Sequence, residues 1–360
     1  MYLLYILLLL MCFAYLRRRL NGGEAAFYHS PLVLAGLFLF VGVYAVFSDD
    51  YFIYQEIVTK LIPTGNYTRF TPFWNAYAEA IGNTNTLFRL LTLGGGLLLL
   101  SWQGHLLRLR YLELLPWFIA LAGMHLITWL RFELACMLFV LGMTLCLRRK
   151  AIGLVVVLLP FVLHPASFLF LLGVGIYLLN PQRLSMRVLM WLGVLLVLSC
   201  LPLLVDLAIE VFGISSFWYY VKYFRWGDAF YRRHFLYALW GYMIYVLGLI
   251  VVYLFSRVGR CSPSPLAQKL TRLMEAFGLL SLLFNFIPVT PHISVRLAGI
   301  AFYIACVVGA MSMRQLRVFA HRKLLLWMVV CLLVMSGMET VANHHDDLRV
   351  LYDIMYALAS

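Results

Sequence analysis

Two adjacent carboxylates, Asp49 and Asp50, open a stretch of the chain that is otherwise amphipathic. Paired acids in such a setting can act as a general base or bind sugar hydroxyls. Tyr51 and Tyr54 follow at a spacing of one helical turn, which would let both rings stack on sugar faces. A hydrated helix terminus with interfacial aromatic residues would explain the same pattern without any chemistry.

Two arginines, Arg131 and Arg296, each begin an apolar segment. A guanidinium at such a position suits the bidentate binding of a phosphate group. Alternatively, each arginine is an anchor whose long side chain snorkels, so that its charged group reaches the membrane–water interface. For Arg131 an ion pair with Glu133 is a further alternative. His164 precedes Pro165 between two apolar runs, where it is a general base, a phosphate donor, or a partner of backbone groups that the proline leaves free.

A third group interleaves basic and aromatic residues in the segment 209–234. Tyr220 and Tyr223 are its candidates for sugar binding, and Arg232 and Arg233 at its basic end are candidates for assisting at a phosphate. The composition suits an anionic lipid or a lipid-linked sugar. It equally suits an interfacial helix that lies on lipid headgroups.

The cysteines and the C-terminal histidines give weak metal signals. The chain has seven cysteines, but none shows a CxxC or Cys/His spacing typical of a metal site. His344 and His345 precede two aspartates, and a solvated tail explains this cluster better than a metal does. We therefore predict neither a metal nor a cofactor.

The composition is that of a membrane protein. Hydrophobic residues make up 64% of the chain and charged residues 12%, whereas soluble domains are about 45–50% apolar and about 25% charged. The net charge of +13 would suit nucleic acid in a soluble protein, but here basic loops that set orientation explain it better. We predict an all-α polytopic integral membrane protein, residues 1–360 forming one membrane domain, without nucleic-acid binding.

Apolar runs separated by charged, Pro, Gly or Asn residues predict about twelve transmembrane helices. The run 151–179 is either one long helix or two helices joined near His164. A hairpin places most lysines and arginines on one side, whereas a single helix divides them evenly, so the positive-inside rule favours the hairpin. Both termini then lie outside, as do two long loops, 48–86 and 209–234, with short amphipathic helices, and the tail 340–360. The predicted spans are 2–16, 32–47, 87–102, 112–128, 132–147, 151–163, 165–179, 187–208, 235–256, 273–288, 296–312 and 324–339.

The order of these features resembles the EpsG-like family of Wzy-type bacterial oligosaccharide repeat-unit polymerases, over roughly 45–310. The resemblance rests on an acidic-aromatic motif opening an outer loop, an Arg-led helix with a basic end, a short helix ending in histidine, and a late Arg-led helix followed by aromatic residues. The stretch around Lys222 also looks like the family. The four motifs in this chain are Asp49-Asp50-Tyr51 with Tyr54; Arg131, Ala135 and Arg148-Arg149-Lys150; His164-Pro165-Ala166-Ser167; and Arg296 with Phe302-Tyr303.

The resemblance implies a metal-independent glycosyltransferase of the bacterial inner membrane. Such an enzyme moves a growing glycan from undecaprenyl pyrophosphate onto a sugar hydroxyl of a new lipid-linked repeat unit, with a chain-length regulator as a possible partner. It implies pyrophosphate binding by Arg131 and Arg296, with help from Arg232 or Arg233. Asp50, then Asp49 or His164, would be the base, and the outer-loop tyrosines would hold sugars. Two alternatives stay open: a polyprenyl-phosphate-sugar-dependent membrane glycosyltransferase, and a flippase or transporter for lipid-linked oligosaccharide.

Overall fold

A computed structural model of the chain describes residues 95–109, 130–179, 264–286 and 291–315, parts of 185–200, and single positions at 14, 76, 114, 254, 257 and 260. These segments are helical, joined by turns. The helices are α1 (Gly95–Leu106), α2 (Leu130–Leu147), α3 (Ile152–Leu163), α4 (Phe168–Leu179), α5 (Pro265–Phe286) and α6 (Pro291–Gln315), with one 3₁₀ turn at Pro165–Ser167 between α3 and α4.

Helix α2 lies at the centre of this bundle. Helix α3 packs along it, α1 and α6 lie against it, α5 pairs with α6, and α4 packs on α5. Three aromatic rings fill the centre. The Phe139 ring lies 4.6 Å from that of Phe170 and meets the ring of Phe277 edge-on at 5.6 Å. These are favourable aromatic geometries, so one core connects α2, α4 and α5.

The contact between α2 and α3 depends on two glycines. A Cβ at Gly142 would lie 2.6 Å from the backbone nitrogen of Val157, and a Cβ at Gly153 would lie 2.5 Å from that of Cys146. Side chains of any size are excluded because backbone atoms on both helices occupy the space. The two glycines therefore set the closest approach of α2 to α3.

A buried polar contact joins α1 to α2. The Gln103 amide donates a hydrogen bond of 2.7 Å to the Thr144 hydroxyl, which in turn donates to the Val140 carbonyl at 2.8 Å. Each such hydrogen bond stabilises a fold by about 1 kcal/mol, and losing one partner of a buried pair costs more. The contact fixes the position of α1 along α2.

The chain breaks between α3 and α4, as the sequence predicts. The Pro160 carbonyl accepts hydrogen bonds from the His164 N–H at 3.0 Å and from the Ser167 hydroxyl at 2.8 Å, and the 3₁₀ turn follows. The residue before a proline avoids helical backbone, and His164 is accordingly extended, with φ −147° and ψ 129°. The predicted pairing of the two helices as a hairpin is wrong, because α3 packs on α2 whereas α4 packs on α5.

The prediction of about twelve transmembrane helices is also wrong for the part of the chain that the structure describes, where no helix is both long and apolar enough to cross a membrane. Helices α3 and α4 have 12 residues each, about 18 Å, against a hydrocarbon core of about 30 Å. Helix α5 has 22 residues but contains Lys269, Arg272 and Glu275 in its first half.

The two remaining long helices are interrupted by charge in the same way. Helix α2 has 18 residues and begins with Arg131 and Glu133, while α6 has 25 residues and contains Arg296 and Arg314. The apolar stretch that these charges leave in each helix is shorter than the roughly 20 residues of a span. Both termini, the predicted outer loop 209–234 and the tail 340–360 lie outside the described residues, as does the loop 48–86 except for Ala76.

Candidate functional site

The Phe132 ring, in the first turn of α2, is the meeting point of two residues that the sequence singles out. The guanidinium carbon of Arg296 lies 5.5 Å from the ring centroid. The His164 imidazole contacts the same ring edge-on, with centroids 5.3 Å apart. A cation within about 6 Å of an aromatic face is attracted by the ring. The guanidinium of Arg296 and the imidazole of His164 therefore both lie next to the Phe132 ring.

Three elements bring these residues together. Phe132 lies at the beginning of α2, Arg296 in the second turn of α6, and His164 at the C-terminal cap of α3. The short connection at 148–151 reverses the chain, so the end of α3 returns to the beginning of α2. The site therefore forms where the ends of three helices converge.

A buried carboxylate lies beside this region. Glu133 is only 1% exposed, and its negative charge acts on two neighbours, Tyr303 and Cys136. Burial raises the pKa of the Tyr303 hydroxyl well above its ordinary value, and the charge of Glu133 raises it further. Tyr303 is therefore a phenol and not a phenolate at neutral pH, and a side-chain hydrogen bond to Glu133 contributes to the raised pKa.

Opposite charges meet near the Cys136 thiol. Burial and the charge of Glu133 raise the pKa of Cys136, whereas the charge of Arg296 lowers it. Both charged groups must lie close to this thiol to have that effect, one on α2 and the other on α6. A buried carboxylate is costly without a nearby cation, and Arg296 is the cation that acts on the same thiol as Glu133.

The hydrogen bonds of His164 determine its protonation. Its Nδ1 accepts a hydrogen bond of 3.0 Å from the Ala166 N–H, so Nδ1 carries no proton. The proton of the neutral imidazole is then on Nε2. In this state His164 is a hydrogen-bond donor through Nε2, not a base. The geometry thus supports the role of phosphate donor over that of general base for this residue.

The buried thiols give a first prediction. Cys136 and Cys306 are buried, and desolvation raises the pKa of each thiol well above its ordinary value. Because the thiolate is the reactive form, neither should react with maleimide in the folded protein, whereas the exposed Cys200 should. Mass spectrometry of peptides after timed labelling at neutral pH checks this. Labelling of Cys136 as fast as Cys200 would show that the site opens readily to solvent.

The structure describes only one of the other predicted site residues. Arg131 lies in the first turn of α2, directly before Phe132 and Glu133. Eight predicted residues lie outside the described part of the chain and are not placed: Asp49, Asp50, Tyr51, Tyr54, Tyr220, Tyr223, Arg232 and Arg233. Among the described residues, no cluster of three or more His, Cys, Asp or Glu side chains could hold a metal ion.

No sequence pattern predicts a role in the site for Phe132, and Glu133 is predicted only as a pair for Arg131. The signal was the adjacency of an aromatic residue and an acid to Arg131 at the start of a helix. The sequence singles out Tyr303 only as one of the aromatic residues that follow Arg296. Its spacing of seven residues, two helical turns, already places it on the same face of α6 as Arg296.

Comparisons of the chain with protein-family models, with curated proteins and with solved structures gave no match.

Proposed function

We propose that the protein is a polysaccharide polymerase of the bacterial inner membrane. It transfers a growing glycan from undecaprenyl pyrophosphate onto the non-reducing-end sugar hydroxyl of a new lipid-linked repeat unit, at the outer face. The observation that carries this proposal is the convergence of Arg296 and His164 on the Phe132 ring, beside the buried Glu133. The resemblance of the motif order to the EpsG-like polymerases supports the same function.

The reaction has two electrostatic requirements. The acceptor oxygen forms a bond to the anomeric carbon, the bond from that carbon to the pyrophosphate oxygen breaks, and negative charge builds on the leaving group. Arg296 and Arg131 would stabilise this charge, with Arg232 or Arg233 assisting. The acceptor hydroxyl gives its proton to a carboxylate, for which Asp50 and then Asp49 are the candidates.

The remaining residues would bind and orient the substrate. His164 would donate through Nε2 to a phosphate oxygen. If the arginines neutralise the phosphates, the reaction would need no metal ion. Tyr51, Tyr54, Tyr220 and Tyr223 would hold sugar rings.

The outward faces of α3 and α4 support a function at a lipid surface. Leu154, Leu158 and Leu171 are more than half exposed, as are Leu178 and Leu179. Exposed apolar surface of this extent is unusual for a face that contacts only water. We assign it to contact with lipid chains, which would bring the site close to a lipid-linked substrate.

Polymer synthesis by the purified full-length protein tests the function directly. Radiolabelled undecaprenyl-pyrophosphate-linked repeat units, supplied in detergent micelles, should be converted to a ladder of longer products. In sealed vesicles, movement of the labelled repeat across the bilayer without any ladder would identify a flippase. A ladder formed only from a polyprenyl monophosphate donor would identify the other glycosyltransferase class. Either result would overturn the proposal.

Three substitutions of His164 separate its two nitrogens. Asparagine places an acceptor near the position of Nδ1, so His164→Asn should keep the bond from the Ala166 N–H and the melting temperature but lose about tenfold in polymerisation rate. His164→Gln places an amide donor near Nε2 and should retain more activity. His164→Ala should lose both, with a stability loss of about 1–3 kcal/mol.

The measurements are ladder synthesis and thermal unfolding of the purified variants. Equal activity of His164→Asn and the wild type would limit His164 to its structural bond. Higher activity of His164→Asn than of His164→Gln would exclude donation through Nε2.

A further inference from the structure

A second concave region lies at the other end of the bundle. It has a volume of about 520 Å³, within the usual range of ligand sites, and forms where α1 and α2 end and α5 begins. Its position is far from the Phe132 region, since 15 residues of α2 separate Phe132 from Leu147 and correspond to about 22 Å. We call it the basic groove. Its lining residues are Leu107, Arg108, Leu147, Arg148, Ser264, Pro265, Leu266, Lys269 and Met311.

Three cationic side chains line the basic groove, and no acidic side chain is among its described lining residues. Arg108 and Lys269 are exposed, and Arg148 donates a hydrogen bond to the Leu106 carbonyl at the end of α1. This hydrogen bond uses one N–H donor of the Arg148 guanidinium. An anion in this concavity would be attracted by all three side chains at once.

The beginning of α5 adds to the positive potential. Pro265 is the first residue of the helix, and Ser264 caps it. The Ser264 hydroxyl accepts a hydrogen bond from the Ala267 N–H at 3.4 Å, and the Ser264 carbonyl accepts one from the Gln268 N–H at 3.1 Å. The helix terminus therefore acts on a ligand through its potential and not through these two N–H groups. The backbone N–H groups of a helix N-terminus carry a partial positive charge and favour phosphate oxygens. Lys269 lies one turn further along the same helix, so its ammonium and the helix terminus act on one volume.

The groove is also apolar along part of its wall. Leu107, Leu147, Leu266 and Met311 lie next to the cations. A fully solvated anion would gain nothing from these side chains, whereas an ester-linked phosphate with apolar chains would contact both parts. The groove therefore fits the phosphate of an amphiphile better than it fits a free ion.

We infer that the basic groove is a phosphate-binding site, with an anionic phospholipid headgroup as its ligand. Lys269, Arg108 and Arg148 bind the phosphate oxygens, and the leucines and Met311 contact the glycerol and the first carbons of the chains. The site differs from the Phe132 region in position and in residues. It does not depend on the polymerase function.

The test is a calorimetric titration of the full-length protein in non-ionic detergent with a short-chain phosphatidylglycerol. A second titration uses inorganic phosphate. Lys269→Gln and Arg108→Gln should each weaken phosphatidylglycerol binding about tenfold, as expected for loss of one charge-assisted hydrogen bond. Arg272→Gln is the matched control, because Arg272 is exposed on the same helix but does not line the groove. Its affinity should equal that of the wild type.

The outcomes separate the two sources of phosphate. In one outcome, inorganic phosphate binds as tightly as the lipid, and Lys269→Gln weakens its binding. That result would overturn the assignment of a phospholipid as the ligand and would identify a site for free phosphate. No binding of either probe, or equal affinity of Lys269→Gln and Arg272→Gln, would overturn the site itself. Circular dichroism confirms that each variant is folded, and Arg108→Gln replaces Lys269→Gln if the latter is not.

Discussion

Cells whose chromosomal copy of the protein carries Arg296→Gln should make glycan ladders that stop at a single repeat. Glutamine keeps much of the side-chain length but removes the charge, and one preorganised donor to a developing anion is worth about 10²–10³ in rate. Arg296→Lys keeps the charge without the bidentate geometry and should lose less. The measurement is ladder length on gels, with the amount of protein in the membrane checked by immunoblot.

Two controls make this result specific. Arg272→Gln removes the same charge from an exposed position on α5 and should leave the ladders unchanged. Because Arg296 also offsets the charge of Glu133, Arg296→Gln alone should lower stability. The double variant Glu133→Gln, Arg296→Gln removes both charges and should recover stability without recovering ladders.

Three outcomes have distinct meanings. Ladders of normal length in Arg296→Gln would mean that Arg296 is only a structural cation, and the site model would be wrong. Accumulation of lipid-linked repeats on the cytoplasmic side would identify a flippase. Recovery of ladders in the double variant would mean that the single variant failed by misfolding.

Gly142→Ala should be among the most destabilising single-methyl additions in the described part of the chain. The new Cβ would lie 2.6 Å from the Val157 backbone nitrogen, and backbone cannot move aside as a flexible side chain can. Overpacking of this kind costs about 1–3 kcal/mol, which exceeds the gain of about 1 kcal/mol from the better helix propensity of alanine. The melting temperature should fall by about 1–3 °C, because the unfolding entropy of a chain of this length is large.

Gly175→Ala is the matched control. A Cβ at Gly175, in the middle of α4, would meet nothing within 4 Å, so only the helix-propensity gain applies. Its melting temperature should stay the same or rise slightly. Scanning calorimetry or fluorescence unfolding of the purified proteins checks both. Equal melting temperatures for the two variants would show that α2 and α3 are not in close backbone contact.

The sequence predicted local structure better than packing. The spans 132–147 and 151–163 lie within two residues of α2 and α3, because long apolar runs bounded by charges or proline define helices well. Helix α5 begins eight residues before its predicted start, because the charged residues Lys269 and Arg272 interrupt the apolar pattern on which the prediction depends. Charged residues end an apolar run without ending a helix.

The failures concern which elements meet. The count of basic charges favoured a hairpin at His164, but charge asymmetry carries no information about which helix buries which face. Apolar composition predicted spans across a membrane, but composition does not fix helix length. The meeting of Arg296 with His164 required a ring from a third element, Phe132, and such a three-way contact has no pattern in one segment of sequence.

The glycine contact between α2 and α3 sets the tilt of α3 and therefore the position of His164 in the site. Gly153 and His164 are separated by 11 residues of helix and cap, a lever arm of about 16 Å. A tilt of α3 by about 4° about the contact at Gly153 moves the imidazole by about 1 Å. Misplacement on this scale costs about 10²-fold in well-organised active sites. A methyl group at Gly153 would therefore tilt α3 and displace the His164 imidazole, although it would not contact any residue of the proposed substrate site.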